Sequence, residues 1–177
     1  MERSSNASFF YFYVMIRDWF RNIRMNYASE QMYIAQRMIN EKGGWQSHLN
    51  NSQGYIKDHL KTNSSKSINI LGSGWLFDVP IHDIIRQFDK VIFTDIYHPK
   101  QIVNKYSANE NIEFKTVDLT YGAVDLAYAT NKRNFDFEKF IDTIKNIRPT
   151  SYNEDLVVSI NLLRSEERRV GKECRSR

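Results

Sequence analysis

From Ser67 onward the chain repeats one unit: a short apolar run, a turn carrying glycine or a polar residue, and in places an amphipathic helix. Ser67–Leu71 (SINIL) ends in Gly72-Ser73-Gly74, Val91–Thr94 (VIFT) ends at Asp95, Ile112–Val117 ends at Asp118, and Leu156–Ile160 ends at Asn161. Runs this short, rich in β-branched residues, read as buried strands. Asp78-Val79-Pro80 opens a helix through about Phe88, because proline is tolerated in a first turn. Phe135–Ile147 is amphipathic, with Phe137, Phe140, Ile141 and Ile144 on one face. Strands alternating with helices predict an α/β domain built on a parallel sheet with crossover helices.

The chain before Ser67 follows a different period. Tyr13, Ile16, Phe20, Ile23 and Tyr27 recur at helical spacing, as do Met32, Ala35 and Ile39. Asn26–Ser29 is the expected break between two helices, with Ser29 as N-cap. Gly43-Gly44 stops the second helix, Trp45–Leu60 forms a third, and Lys61–Lys66 is a polar connection. The expected organisation is therefore a helical region over 1–63 and an α/β domain over 64–163.

The last fourteen residues, Arg164–Arg177 (RSEERRVGKECRSR), stand apart. They resemble a translated short-read sequencing adapter and are read as non-native, a native basic tail being the alternative. Without their six basic and three acidic residues, the Lys+Arg to Asp+Glu balance falls from 25 against 21 to 19 against 18. That near-neutral remainder leaves no general basic footprint for nucleic acid. The single cysteine, Cys174, lies in the same tail, so the rest is compatible with a reducing, cytoplasmic setting. The longest apolar run, Phe9–Ile16, is too short to span a bilayer, and Glu2 and Arg17-Asp18 make a poor signal peptide. The aromatic stripe from Phe9 to Phe20 is expected to be a core or docking face. Four scattered histidines give no metal-ligand spacing.

In an open parallel sheet, ligands bind beyond the carboxyl ends of the strands, so the residues there carry the functional reading. Gly72 and Gly74 permit a tight turn and close approach of a ligand to the main chain. Free N–H groups of the following helix suit a polar or anionic group. Asp95, 21 residues after Gly74, stands where a carboxylate takes both hydroxyls of a ribose, or caps a helix. Asp118 is open between an adenine contact and a turn through Thr120 and Gly122.

These residues resemble the class I, Rossmann-like S-adenosylmethionine-dependent methyltransferases. The matching pieces are ILGSG (Ile70–Gly74), FTDI (Phe93–Ile96), the acid of TVDLT (Thr116–Thr120) and DLVVSINLL (Asp155–Leu163). The resemblance covers about Ser67–Leu163, four strands of a family sheet that normally has seven, and implies an incomplete domain, inactive as a fragment. It places S-adenosyl-L-methionine against Gly72, Ser73, Gly74, Asp95, Ile96, Asp118 and Asn161, with an acceptor that it does not identify. Two positions depart from the family pattern: Ile70 stands where an acid is usual, and Leu76 where a third glycine is usual. A non-catalytic nucleotide-binding or interaction protein on the same fold is the alternative. An NAD-dependent oxidoreductase is disfavoured, because Phe77 fills the last position of the dinucleotide fingerprint and Asp78 would repel a pyrophosphate.

Lesser candidates follow. Asp78 is read first as an N-cap, and otherwise as a partner for a methionine ammonium. His98 is expected to be a solvated loop histidine, with cofactor contact or base chemistry as the alternative. Trp45 and His48, three apart on one helical face, are expected to pack in the core rather than line a pocket. Tyr121, Asp125 and Tyr128 are placed in the loop after the third strand. No catalytic residue is assigned.

Overall fold

The computed structural model describes residues 16, 19–129, 135–148 and 151–160. Residues 19–24 are helical, and the chain then forms α1 (Tyr27–Asn40), α2 (Gln46–Leu60), β1 (Ser67–Leu71), α3 (Ile81–Gln87) and β2 (Lys90–Asp95). There follow α4 (Lys100–Tyr106), β3 (Ile112–Thr116), α5 (Ala123–Ala129), α6 (Phe137–Lys145) and β4 (Leu156–Ser159).

The four strands form one parallel sheet in the order β3-β2-β1-β4, preceded by the helical region. The chain steps outward from β1 to β2 to β3, then returns to add β4 on the opposite side of β1. The strand order therefore reverses between β1 and β4, which is where such Rossmann-like sheets leave a crevice.

Register puts alternate residues of every strand on one face. Ile68 faces Val91 and Leu156, and Ile70 faces Phe93 and Val158. Ile68, Ile70, Val91 and Phe93 are all 0% exposed and pack with Ile56 and Leu60 of α2, Ile81 and Ile84 of α3, and Tyr106 of α4. Each such side chain contributes about 1.5–3 kcal/mol relative to an exposed one. The opposite face carries Asn69 and Thr94, both buried, with Thr94 Oγ1 donating to Asn69 Oδ1 at 2.8 Å. Asp155, just before β4, pins the outer strand to β1. Its Oδ2 accepts from the Lys66 N–H, the Ser67 N–H and the Ser67 hydroxyl, each at 2.9 Å. Those bonds, Ser67's first, hold its carboxyl below the usual range.

Several local expectations need correction. The break between the first helices falls at Asn26, whose left-handed backbone (φ 61°) ends one helix and starts the next; Ser29 lies inside α1 and is not its cap. Asparagine tolerates that conformation better than most residues. Asp78 does not cap α3, which starts three residues later, after Pro80. Helix α4 is additional to the expected elements, although Pro99 precedes it and Ile102, Val103 and Tyr106 recur at helical spacing. Asp125 and Tyr128 lie on α5, not in a loop. Trp19 and Phe20, the described end of the aromatic stripe, are exposed and so are not core, while α6 is amphipathic as expected although none of its residues is buried. No helix among the described residues is long and apolar enough to cross a membrane.

Candidate functional site

The loop after β1 is shaped by three left-handed backbones: Gly72 (φ 74°), Gly74 (φ 41°) and Leu76 (φ 59°). It is held to the sheet because Gly72 N–H donates to Thr94 O and Gly74 N–H to Asp95 Oδ2, both at 2.8 Å. Helix α1 presses on it from outside. Trp75 Nε1 donates to Gln31 O at 2.7 Å, and a Cβ on Gly74 would lie 3.2 Å from Gln31 Oε1. Gly74 is thus favoured by its backbone angle, while a Cβ there would need only a small shift of the Gln31 amide. Leu76 adopts a conformation that costs an L-residue roughly 1–2 kcal/mol. Burial of its side chain in the core, 7% exposed, offsets that strain.

This loop floors a cleft of about 450 Å³, whose walls are α1, the α1–α2 connection, the start of α2, and Ile160 just after β4. The volume falls in the range of small-molecule sites. Its polar lining includes Arg37, Glu41, His48, Ser73 and Asp78. His48 Nε2 lies 3.3 Å from Asp78 Oδ1, and the Trp45 indole N–H donates to the Glu41 carboxylate. Trp75 and Phe77 stack with their centroids 5.7 Å apart. Ser73 is 3% exposed, and its hydroxyl has no hydrogen-bond partner among the described residues. Buried hydroxyls are normally paired, so this one is a polar group with unused capacity beside a cleft.

The other half of the strand-end edge is closed only in the sense that its polar groups already have partners within the chain. Asp95 is buried, and besides Gly74 its carboxylate accepts from the Tyr97 N–H at 3.3 Å. The carbonyl of Ile96 accepts from Asn22 Nδ2 at 3.3 Å, which brings the helical residues 19–24 onto the end of β2. Arg21, 3% exposed, reaches Asp125 Oδ1 on α5 at 2.6 Å, and Arg24 lies over the Tyr128 ring. Asp118 serves its own turn: Oδ1 accepts from the Thr120 N–H and hydroxyl, and Oδ2 from the Gly122 N–H. The phenol of Tyr27 is pushed up by burial and then by the Asp118 charge beside it. Tyr121 and Tyr152 share a hydroxyl–hydroxyl bond of 2.6 Å, and burial together with that bond pushes the Tyr152 phenol up to about 12.

His98 is not a solvated loop residue. It is buried, edge-on to Phe114, with Nε2 3.1 Å from Lys115 O. A carbonyl only accepts, so Nε2 carries the hydrogen in this bond. Burial pushes its pKa down, against the smaller opposing effects of the Lys115 carbonyl and the Asp95 charge.

The cofactor residues expected from the sequence therefore separate. Gly72, Ser73 and Gly74 line the cleft; Asp95 lies behind the loop that it holds; Ile96 and Asp118 belong to the closed half. Asn161 and the tail 164–177 lie outside the described residues. Trp45 and His48 line the cleft instead of packing in the core. The α1 side of the cleft, Gln31, Ile34, Arg37 and Glu41, is not among the expected site residues. Its signal is present in the chain all the same: with Trp45 and His48 these residues recur at spacings of three and four. No protein-family model matches the chain, and no curated protein or solved structure matches it at significance.

Proposed function

We propose that the protein binds S-adenosyl-L-methionine and is a methyltransferase-like protein acting on a separate acceptor. The observation that carries this reading is the position and make-up of the cleft. A loop of left-handed backbones opens it at the reversal of strand order between β1 and β4. The residues present fit the cofactor there. The Gly72–Gly74 main chain allows close approach, the Ser73 hydroxyl, without a hydrogen-bond partner among the described residues, offers a hydrogen bond, and Arg37 offers a charge partner for an amino-acid carboxylate. When bound, the cofactor supplies an electrophilic methyl group; the chain's part is to orient it and to exclude water. NAD fits less well, because Asp78 lines this cleft and Phe77 stacks on Trp75 where close packing is needed.

A second reading, a non-catalytic nucleotide-binding or interaction protein, is favoured by one observation: the Asp95 carboxylate is already engaged by Gly74 and Tyr97. Thermal unfolding of the full chain with adenosylhomocysteine, NAD or buffer separates the readings. Adenosylhomocysteine alone should raise the midpoint, by about 2.7 kcal/mol of stability at roughly 100 times its Kd. A shift with NAD alone sinks the proposal, and no shift with either moves the second reading to first place.

A further inference from the structure

We propose that the helical segment before α1 is a membrane-surface anchor, a helix of reversed polarity that lies on the headgroup–acyl boundary of a lipid bilayer. Its polar side faces the protein. Arg21, 3% exposed, pairs with Asp125 of α5, and Asn22 donates to the Ile96 carbonyl at the end of β2. Its apolar side faces out. Ile16, Trp19, Phe20 and Ile23 recur at spacings of three and four, so they share one helical face, and all are exposed, Trp19 at 59%. A helix that serves only the fold buries such a stripe and turns its charges to water. Rotating this helix to hide the stripe would break the Arg21 and Asn22 contacts.

What covers this face is indicated by the residues just before it. Phe9–Ile16 (FFYFYVMI) is an unbroken apolar run. Such a run has no polar side to turn to water, so a partner that covers one face, such as a second copy of this chain, leaves the rest of it wet. An acyl layer surrounds it instead. The residue types agree: Tyr11, Tyr13 and Trp19 carry a polar atom on an apolar ring, the kind that settles between headgroups and acyl chains. Arg24 is exposed and stands four residues after Phe20, at the border of the apolar face, with Arg17 seven residues before it in the sequence. Cations so placed meet lipid phosphates. The run is too short to span a bilayer, so the segment lies in the surface rather than crossing it. The anchor is independent of what the cleft binds.

The test is co-flotation of the full chain with vesicles of phosphatidylcholine and phosphatidylglycerol, at low and at high salt. High salt screens attachment through charge alone, including any through the basic residues of 164–177. The wild type should float at both salt levels, and its tryptophan emission should shift to the blue as Trp19 leaves water. Trp19→Ser combined with Phe20→Ser should lower the partition coefficient by about tenfold or more. Both side chains are exposed, so this variant should keep the wild-type thermal midpoint. Trp19→Phe keeps an apolar ring and should keep binding while losing most of the blue shift, which separates insertion from a general loss of structure. Flotation that survives the double substitution overturns the proposal, as does flotation that vanishes at high salt. A wild type that stays off the vesicles overturns it too; self-association that the double substitution abolishes would then assign the face to a second copy of this chain.

Discussion

The strand-end edge of the sheet has two halves built from the same kind of sequence and put to opposite uses. On the β1–β4 side, the main chain turns through Gly72, Gly74 and Leu76 and leaves a cleft with polar groups facing into it. On the β2–β3 side, Asp95, Ile96 and Asp118 are engaged by neighbouring backbone and by side chains such as Asn22. The difference lies in what each group does in the folded chain before any ligand arrives. A carboxylate at a strand end can meet a ligand or hold the loop that meets it, and here Asp95 holds the loop.

Asp95→Ala is the substitution that would break this contrast most severely. It removes two hydrogen bonds from backbone N–H groups and strands the Gly74 N–H beside the sheet. A charged hydrogen bond is worth about 1.5–3 kcal/mol, and an orphaned buried donor adds a penalty of similar size. Urea unfolding of the ligand-free protein should therefore show a loss of about 2–4 kcal/mol, well beyond the ~1 kcal/mol typical of a point substitution. Unchanged stability with weakened adenosylhomocysteine binding would return Asp95 to the direct ligand role that its position suggests.

What the sequence makes legible follows from period, and what it hides follows from partners. The four strands are readable because Ile68, Ile70, Val91, Phe93, Val157 and Val158 sit in short β-branched or aromatic runs bounded by turn residues. The Gly72–Gly74 turn is readable for a related reason, since glycine at a strand end marks a left-handed backbone. The closing of the other half is not readable. Arg21 and Asp125 are 104 residues apart, a separation that no local spacing rule reaches. His98 reads as a loop residue because nothing local announces that Phe114 and the Lys115 carbonyl enclose it. The cleft's outer wall is half visible, as a three-and-four spacing that mixes Ile34 and Trp45 with the polar Gln31, Arg37, Glu41 and His48 and does not say which element it faces.

Arg21→Ala tests the closed half at its outer cover and should have a smaller, local effect. The arginine is buried while Asp125 is 39% exposed, so solvent screens part of the pair and the loss is mostly of packing and one strong hydrogen bond. Amide hydrogen exchange over residues 19–24 should speed up about tenfold, the equivalent of about 1.4 kcal/mol of local opening. Exchange over β1 and β2 should stay the same. Uniform acceleration across the sheet would show instead that residues 19–24 are integral to the core and that the two halves do not behave separately.

The smallest effect is a pH dependence that belongs to the closed half alone. His98 is neutral in the fold with its pKa pushed down by burial, whereas in the unfolded chain it titrates near the ordinary value of about 6.5. As pH falls below that value the unfolded state takes up a proton that the folded state resists, so stability falls with pH. The contribution is fully present above about pH 6.5 and is lost as pH drops toward the folded pKa. His98→Gln keeps a hydrogen-bonding side chain for the Lys115 carbonyl but cannot titrate, so its urea midpoint should decline less than the wild type's between neutral and mildly acidic pH. Parallel declines would mean that the folded ring takes up its proton as readily as the unfolded one. The β2–β3 half would then be open to water at His98, and the contrast with the cleft side would fail at its most enclosed residue.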